Sequence, residues 1–289
     1  MNNRMRQGPD FMFIGAPRAG STWLHRNLQK HPHIWTPIIK NILVFQRPLN
    51  FQINRLRTLR HFLLGRIKPQ NKNEWRWLAK YFLTPHATIE WYKGLFEHDE
   101  TQRAGDITDD YLVLDEAEVK KIHAHLPDLK IIVTLRDPVD RAWSHASHYF
   151  VNNKGHDFDD VPVERLVARS MEPWLIERSR YLGLIDIWQK HFPPEQIFIA
   201  FFEEINQNPQ KVLERLCAFL AIPYDSAVFG DLAEKKINKA AEQEMPLYLR
   251  KELSARLLPD LEILAGIFPE YAGQWLAKAR KTLEQTCVS

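Results

Sequence analysis

Two short segments of this chain combine residue types that bind phosphate. The first, Gly15-Ala16-Pro17-Arg18-Ala19-Gly20-Ser21-Thr22, spaces two glycines five apart and follows them with two hydroxyl residues. Backbone amides in such a loop cradle an anion at the N-terminus of the helix that follows. Ser21 stands where triphosphate enzymes keep the lysine that reaches the β and γ phosphates, so a triphosphate suits the loop poorly. Arg18 instead places a permanent cation inside it, as a nucleotide with one 5′ phosphate and a negative leaving bridge needs. Taken alone, the segment also reads as a plain tight turn with Arg18 in solvent.

The second segment, Arg136-Asp137-Pro138-Val139-Asp140-Arg141-Ala142-Trp143-Ser144, puts an arginine at a strand end and a serine on the next helix. Ligands of open α/β sheets bind beyond the carboxyl ends of strands. Arg136 offers a planar fork for phosphate and Ser144 a hydroxyl donor. Two anion sites on neighbouring strand ends suit a nucleotide with both 5′ and 3′ phosphates. Arg141 has a simpler use, pairing with Asp137 at i and i+4 for about a few tenths of a kcal/mol.

Other reactive residues form no comparable constellation. His145 and His148 lie three apart on a predicted helix, but no third ligand stands nearby, so no metal is expected. His31 with His33, and His123 with His125, read as loop and helix-surface groups. Cys217 and Cys287 lie in no CxxC, which suggests neither zinc nor a disulfide and suits a reducing, cytoplasmic compartment. Ser21 lacks the Gly-x-Ser-x-Gly elbow of a nucleophilic serine.

The elements that position the two segments read as an α/β fold. Phe11 to Ile14 and Ile131 to Leu135 are apolar runs of the kind buried in a parallel sheet, each followed by a turn and a helical pattern. Asp137 caps the second helix and Pro138 suits its first turn. A third strand, Gln196 to Phe202, follows helix from Glu172 to His191 and precedes helix from Asn208 to Leu220. A short strand is expected from Arg103 to Asp106. Strands alternating with helices predict a central parallel sheet covered on both faces.

Residues 40 to 100 form a helical insertion, and 246 to 281 read as all helix. With no repeats or low-complexity linkers, 1–289 is one domain. The 289 residues carry 45% hydrophobic content and a formal charge of +3, too mild for a dedicated nucleic-acid binder. The apolar run at Phe11 is far short of the roughly 20 residues that span a bilayer.

Together the two segments resemble the sulfotransferase superfamily. PRAGSTWL is similar to its 5′-phosphosulfate loop and TLRDPVDRAWSH to its 3′-phosphate motif. HPHIWTPIIK, GDITDDY and SRYLGLIDIWQKHF continue the likeness in the order of bacterial relatives of the heparan-sulfate type. The resemblance implies a three-layer P-loop-like fold and direct in-line transfer from 3′-phosphoadenosine 5′-phosphosulfate (PAPS) without a metal. It also implies a hydroxyl or amine acceptor, such as that of a glycan, lipid or small metabolite, without selecting among them. It places Arg18 at the catalytic basic position and Arg18, Ala19, Gly20, Ser21 and Thr22 at the 5′ cradle. Arg136 and Ser144 fall at the 3′ phosphate. Trp23 matches an aromatic that stacks on adenine, or else packs its helix on the sheet. Lys239, beside Lys235 and Lys236, falls where relatives close a basic loop over the nucleotide.

The chain departs from the family at one chemical position. Relatives follow the first helix with Lys-Glu-x-His-[Phe/Tyr]-Phe, the glutamate acting as base, where this chain has Lys40-Asn41-Ile42-Leu43-Val44-Phe45. Asparagine accepts no proton at neutral pH. Asp106, which occupies the glutamate of the family's Gly-Glu-x-Thr-Pro motif, becomes the expected base, with Asp109 in place of the proline. Asp109 and Asp110 read equally as caps or surface groups.

Between Arg47 and Lys80 the charge is almost all basic, with Glu74 the one acid. Such a bias favours an anionic neighbour, and Leu56, Leu59 and Leu63 beside Arg55, Arg60 and Arg66 suit a membrane surface or an ordinary covering helix. Trp75, Trp77, Trp91, Tyr92 and Phe96 wall an acceptor pocket or fill a core. Two other functions stay open, a P-loop kinase and a nucleotide-binding relative that has lost its base.

Overall fold

The computed structural model describes residues 5–84, 87–150, 160–230 and 244–285. The chain opens with β1 (Met5–Arg6), β2 (Phe11–Gly15), α1 (Ser21–Leu28) and β3 (Ile34–Trp35). The insertion follows as α2 (Pro48–Leu63), α3 (Lys72–Leu83), α4 (Ile89–Gly94) and β4 (His98–Asp99). Then come β5 (Arg103–Ile107), α5 (Glu116–His125), β6 (Lys130–Leu135), α6 (Pro138–His148), α7 (Val163–Ser170), α8 (Pro173–Glu177) and α9 (Tyr181–Gln189). The last elements are β7 (Ile197–Phe201), α10 (Phe202–Gln207), α11 (Pro209–Leu220), α12 (Ser226–Phe229), α13 (Leu247–Ile267) and α14 (Ala272–Glu284).

Five strands form a parallel sheet in the order β3-β5-β2-β6-β7, and β1 pairs antiparallel with β4 beside it. Alternation along each strand sends side chains to two cores. Met12, Ile14, Ile131 and Val133 pack under α5, α9, α13 and α14 and against the insertion, while Phe11, Phe13, Ile132 and Phe198 pack under α1 and α11. The expected parallel sheet covered on both faces is therefore present. β2 is central, with the chain winding first toward β3 and later toward β7. Its carboxyl end lies at the switch point where such sheets bind ligands.

Several local expectations change. The helix expected from Glu172 to His191 is broken at Arg178–Arg180 into α8 and α9. β3, only two residues long, has no period to read. His31 is buried, its Nε2 2.9 Å from Pro223 O. Trp77, Trp91, Tyr92 and Phe96 are core residues, and only Trp75 of that group is exposed.

In the insertion, Arg55 is a structural cation whose guanidinium donates to the carbonyls of Phe82 and Thr84 at the end of α3. Lys80 donates to Gly94 O at 2.6 Å. Leu49, Ile53, Leu56 and Leu63 remain exposed on α2. None of the described helices is long and apolar enough to cross a membrane.

Candidate active site

The loop after β2 turns on left-handed backbone. Gly20 has φ 105° and Arg18 φ 70°, a conformation that costs a non-glycine residue energy and recurs at functional sites. Ala19 is buried, and its amide closes the loop on Ala16 O at 3.2 Å. Gly20 begins α1 with no side-chain cap, and no acidic residue stands in the first turn. Its leading amides therefore face the loop as anion donors.

The two sequence segments meet here. Arg18 Nε donates to Ser144 Oγ at 3.2 Å, and Arg136 Nη1 donates to Arg18 O at 3.2 Å. Arg136 also stacks on Phe202, 4.7 Å from its ring centre, and its carbonyl accepts from Tyr181 Oη at 2.8 Å. Asp137 caps α6 at Val139 N (2.9 Å) and pairs with Lys278 of α14 at 3.0 Å, so the 3′-type motif is anchored to the end of the chain. Arg141 does not pair with the Asp137 side chain. It is fully buried and donates to Ser179 Oγ and Leu175 O, and burial brings its guanidinium down to about 10.

The third wall comes from residues 40 to 43 and the end of β5. Lys40 Nζ donates to Thr22 Oγ1 at 3.2 Å, and Ser21 Oγ donates to Asp109 Oδ2 at 2.8 Å. Asp109 N in turn donates to Asn41 Oδ1 at 3.3 Å. Lys40 thus stands beside the loop, and its place at the head of the Lys-Glu-x-His pattern is the sequence signal for it.

The site is electropositive. His148, one turn beyond Ser144 on α6, is pushed down to about 4 by burial and then by Arg18 and Lys40, with Asp109 acting the other way. Burial, followed by Lys40 and Arg26, brings His25 to about 4 as well. The cations named beside these two imidazoles give the neighbourhood a positive local field. His148 therefore lies in the field of Arg18 and Lys40.

Two expected site residues are placed elsewhere. Asp106 has no exposure, and its oxygens accept from Thr108 Oγ1 at 2.6 Å and Tyr92 Oη at 2.8 Å. A carboxylate so enclosed cannot reach an acceptor, and it serves instead to tie β5 to α4. Trp23 is 6% exposed within the core beneath α1, which supports packing over adenine stacking. Lys239 lies outside the described residues.

Fold and site define an α/β protein with a glycine-turned loop at the carboxyl edge of a parallel sheet, where Arg18, Ser144 and Arg136 meet the uncapped start of α1. The Sulfotransferase family profile matches residues 9–226, and the chain belongs to that family. A sulfotransferase from Alicyclobacillus acidocaldarius has a similar fold, with TM-score 0.59, 21% identity and coverage of 92% of this chain and 98% of that one. The sulfotransferase domain of the Synechococcus PCC 7002 olefin synthase is likewise similar, at TM-score 0.55, 17% identity and coverage of 91% and 95%.

Among curated relatives, the bifunctional heparan sulfate N-deacetylase/N-sulfotransferase 1 of Caenorhabditis briggsae is 23% identical over 74% of this chain. The heparan sulfate glucosamine 3-O-sulfotransferase 3A1 of Mus musculus is 30% identical over 47% of it. The chain spans 23% and 36% of the length of these two proteins.

Proposed function

We propose that the protein transfers a sulfuryl group from PAPS to a hydroxyl or amine of an anionic glycan. The observation that carries this is the convergence of Arg18, Ser144 and Arg136 at the uncapped start of α1. The donor set suits the nucleotide: Arg18, Lys40, Ser21, Thr22 and the α1 amides would hold the 5′ phosphosulfate, and Arg136 with Ser144 the 3′ phosphate. When bound, PAPS supplies an activated sulfuryl group on a good leaving phosphate. Arg18 and Lys40 meet the charge that grows on that phosphate, and their positions in a preset loop spare reorganisation during transfer.

The glycan acceptor rests on the heparan sulfate in the names of the two curated relatives and on exposed Arg57, Arg60, Arg66, Lys68, Lys72 and Arg76 in the insertion. Membrane-surface contact has no support beyond the exposed leucines of α2 and is not part of the proposed function. The kinase reading is disfavoured by Ser21 at the lysine position.

Calorimetric titration with 3′-phosphoadenosine 5′-phosphate (PAP) tests the donor. Wild type should bind PAP well above adenosine 5′-phosphate. Arg136→Ala should lose about 1.5–3 kcal/mol, roughly 10- to 150-fold in affinity, for a charged hydrogen-bond partner. Equal binding of the two nucleotides would overturn the proposal. PAP binding without sulfate transfer to N-desulfated heparan sulfate or a wider acceptor panel would favour a nucleotide-binding relative that has lost turnover.

A further inference from the structure

Residue 41 cannot act as a base, yet the backbone amide of an aspartate, Asp109, stands against it. Asn41 is fixed in left-handed backbone at φ 61°, its amide donating to Ile107 O at 2.8 Å and its carbonyl accepting from Asn54 Nδ2 at 2.6 Å. Its side-chain Oδ1 receives Asp109 N. The Asp109 turn is pressed onto the phosphate loop, because a Cβ on Gly15 would lie 2.8 Å from Asp109 O. The Asp109 carboxylate reaches Ser21 Oγ, the first hydroxyl of the cradle, and the residue is only partly buried.

We propose that Asp109 is the proton acceptor in sulfuryl transfer, replacing from the end of β5 the carboxylate that position 41 lacks. This rests on the sulfotransferase reading above. Asp109 takes the acceptor's proton as the acceptor oxygen or nitrogen bonds to sulfur. The sulfur–oxygen bridge to the 5′ phosphate breaks in the same step. The departing electron pair stays on the phosphate oxygen, beside Arg18 and Lys40. Neighbouring groups suit the task less well: Asp106 is sealed, Asp110 is paired with Arg178, and His148 stands in the field of Arg18 and Lys40.

The placement also predicts a cost to nucleotide binding, since Asp109 puts a negative charge at the edge of an anion cradle. The test uses Asp109→Asn and the double variant Asn41→Glu/Asp109→Asn. PAP affinity is measured by calorimetry. Turnover is measured as PAP release from PAPS with N-desulfated heparan sulfate present, so that transfer to water is counted too.

Asp109→Asn should lower turnover about 100-fold or more, the usual worth of a positioned base, while binding PAP several-fold more tightly. Returning a carboxylate at Asn41 should restore part of the turnover, which a folding defect would not allow. Turnover of Asp109→Asn within threefold of wild type, or a parallel loss of PAP binding that Asn41→Glu leaves uncorrected, would overturn the assignment. Wild type that neither binds PAP nor releases it from PAPS would instead sink the sulfotransferase reading, and this inference with it.

Discussion

Asp106 and Asp109 lie three residues apart in sequence and in different media. Burial pushes the Asp106 carboxyl up to about 6, against the pull of hydrogen bonds from Thr108, Tyr92 and Tyr111. The folded chain therefore keeps a proton between about pH 4 and pH 6 that the unfolded chain has released. This group's contribution to stability consequently falls as pH rises through that window, by roughly 3 kcal/mol for two units. Asp106→Asn removes the titration. Urea unfolding at pH 4 and pH 7 should show wild type losing about that much more stability between the two than the variant does. Equal losses in both proteins would place the proton elsewhere. Sequence alone could not separate these aspartates, because exposure depends on what α4 and residues 41 to 43 place over them.

At the scale of elements, strand β5 shows how a motif glycine can serve packing. Gly105 pairs in register with Phe11 of β2, and a Cβ there would lie 2.0 Å from the Phe11 ring. Gly105→Ala should destabilise the protein by about 1–3 kcal/mol, the usual cost of overpacking, seen as a lower urea midpoint. Phe11→Leu should cost less in the Gly105→Ala background than in wild type, and strict additivity would argue against the clash. Helix α6 is held from both ends of the chain, by Ser144 against Arg18 and by Asp140 against Arg250 and Lys278. The strand and helix cores were legible as apolar runs with caps and turns. These cross-links were not, because hydrogen bonds and ion pairs over more than a hundred residues leave no local pattern.

The whole molecule joins the loop after β2, the turn after β5, the motif after β6 and Phe202 after β7 along one sheet edge. A ligand spanning them binds only the folded chain, so PAP at a hundred times its Kd should add about 2.7 kcal/mol of stability. For a chain of this size that corresponds to roughly 4–5 °C in Tm, with a smaller rise from the same concentration of adenosine 5′-phosphate. Equal rises would argue against recognition of the 3′ phosphate. By itself the sequence determined the strand–loop–helix units, the parallel sheet and the two arginine-bearing segments at strand ends, because period, glycine spacing and caps are local properties. Only the tertiary structure decided that Arg18, Ser144 and Arg136 share one site, that Asp106 is sealed while Asp109 faces the cradle, and that Trp23 is core. Proximity and solvent access are set by the order in which strands pair, and five strands can be ordered in many ways that leave every local pattern unchanged.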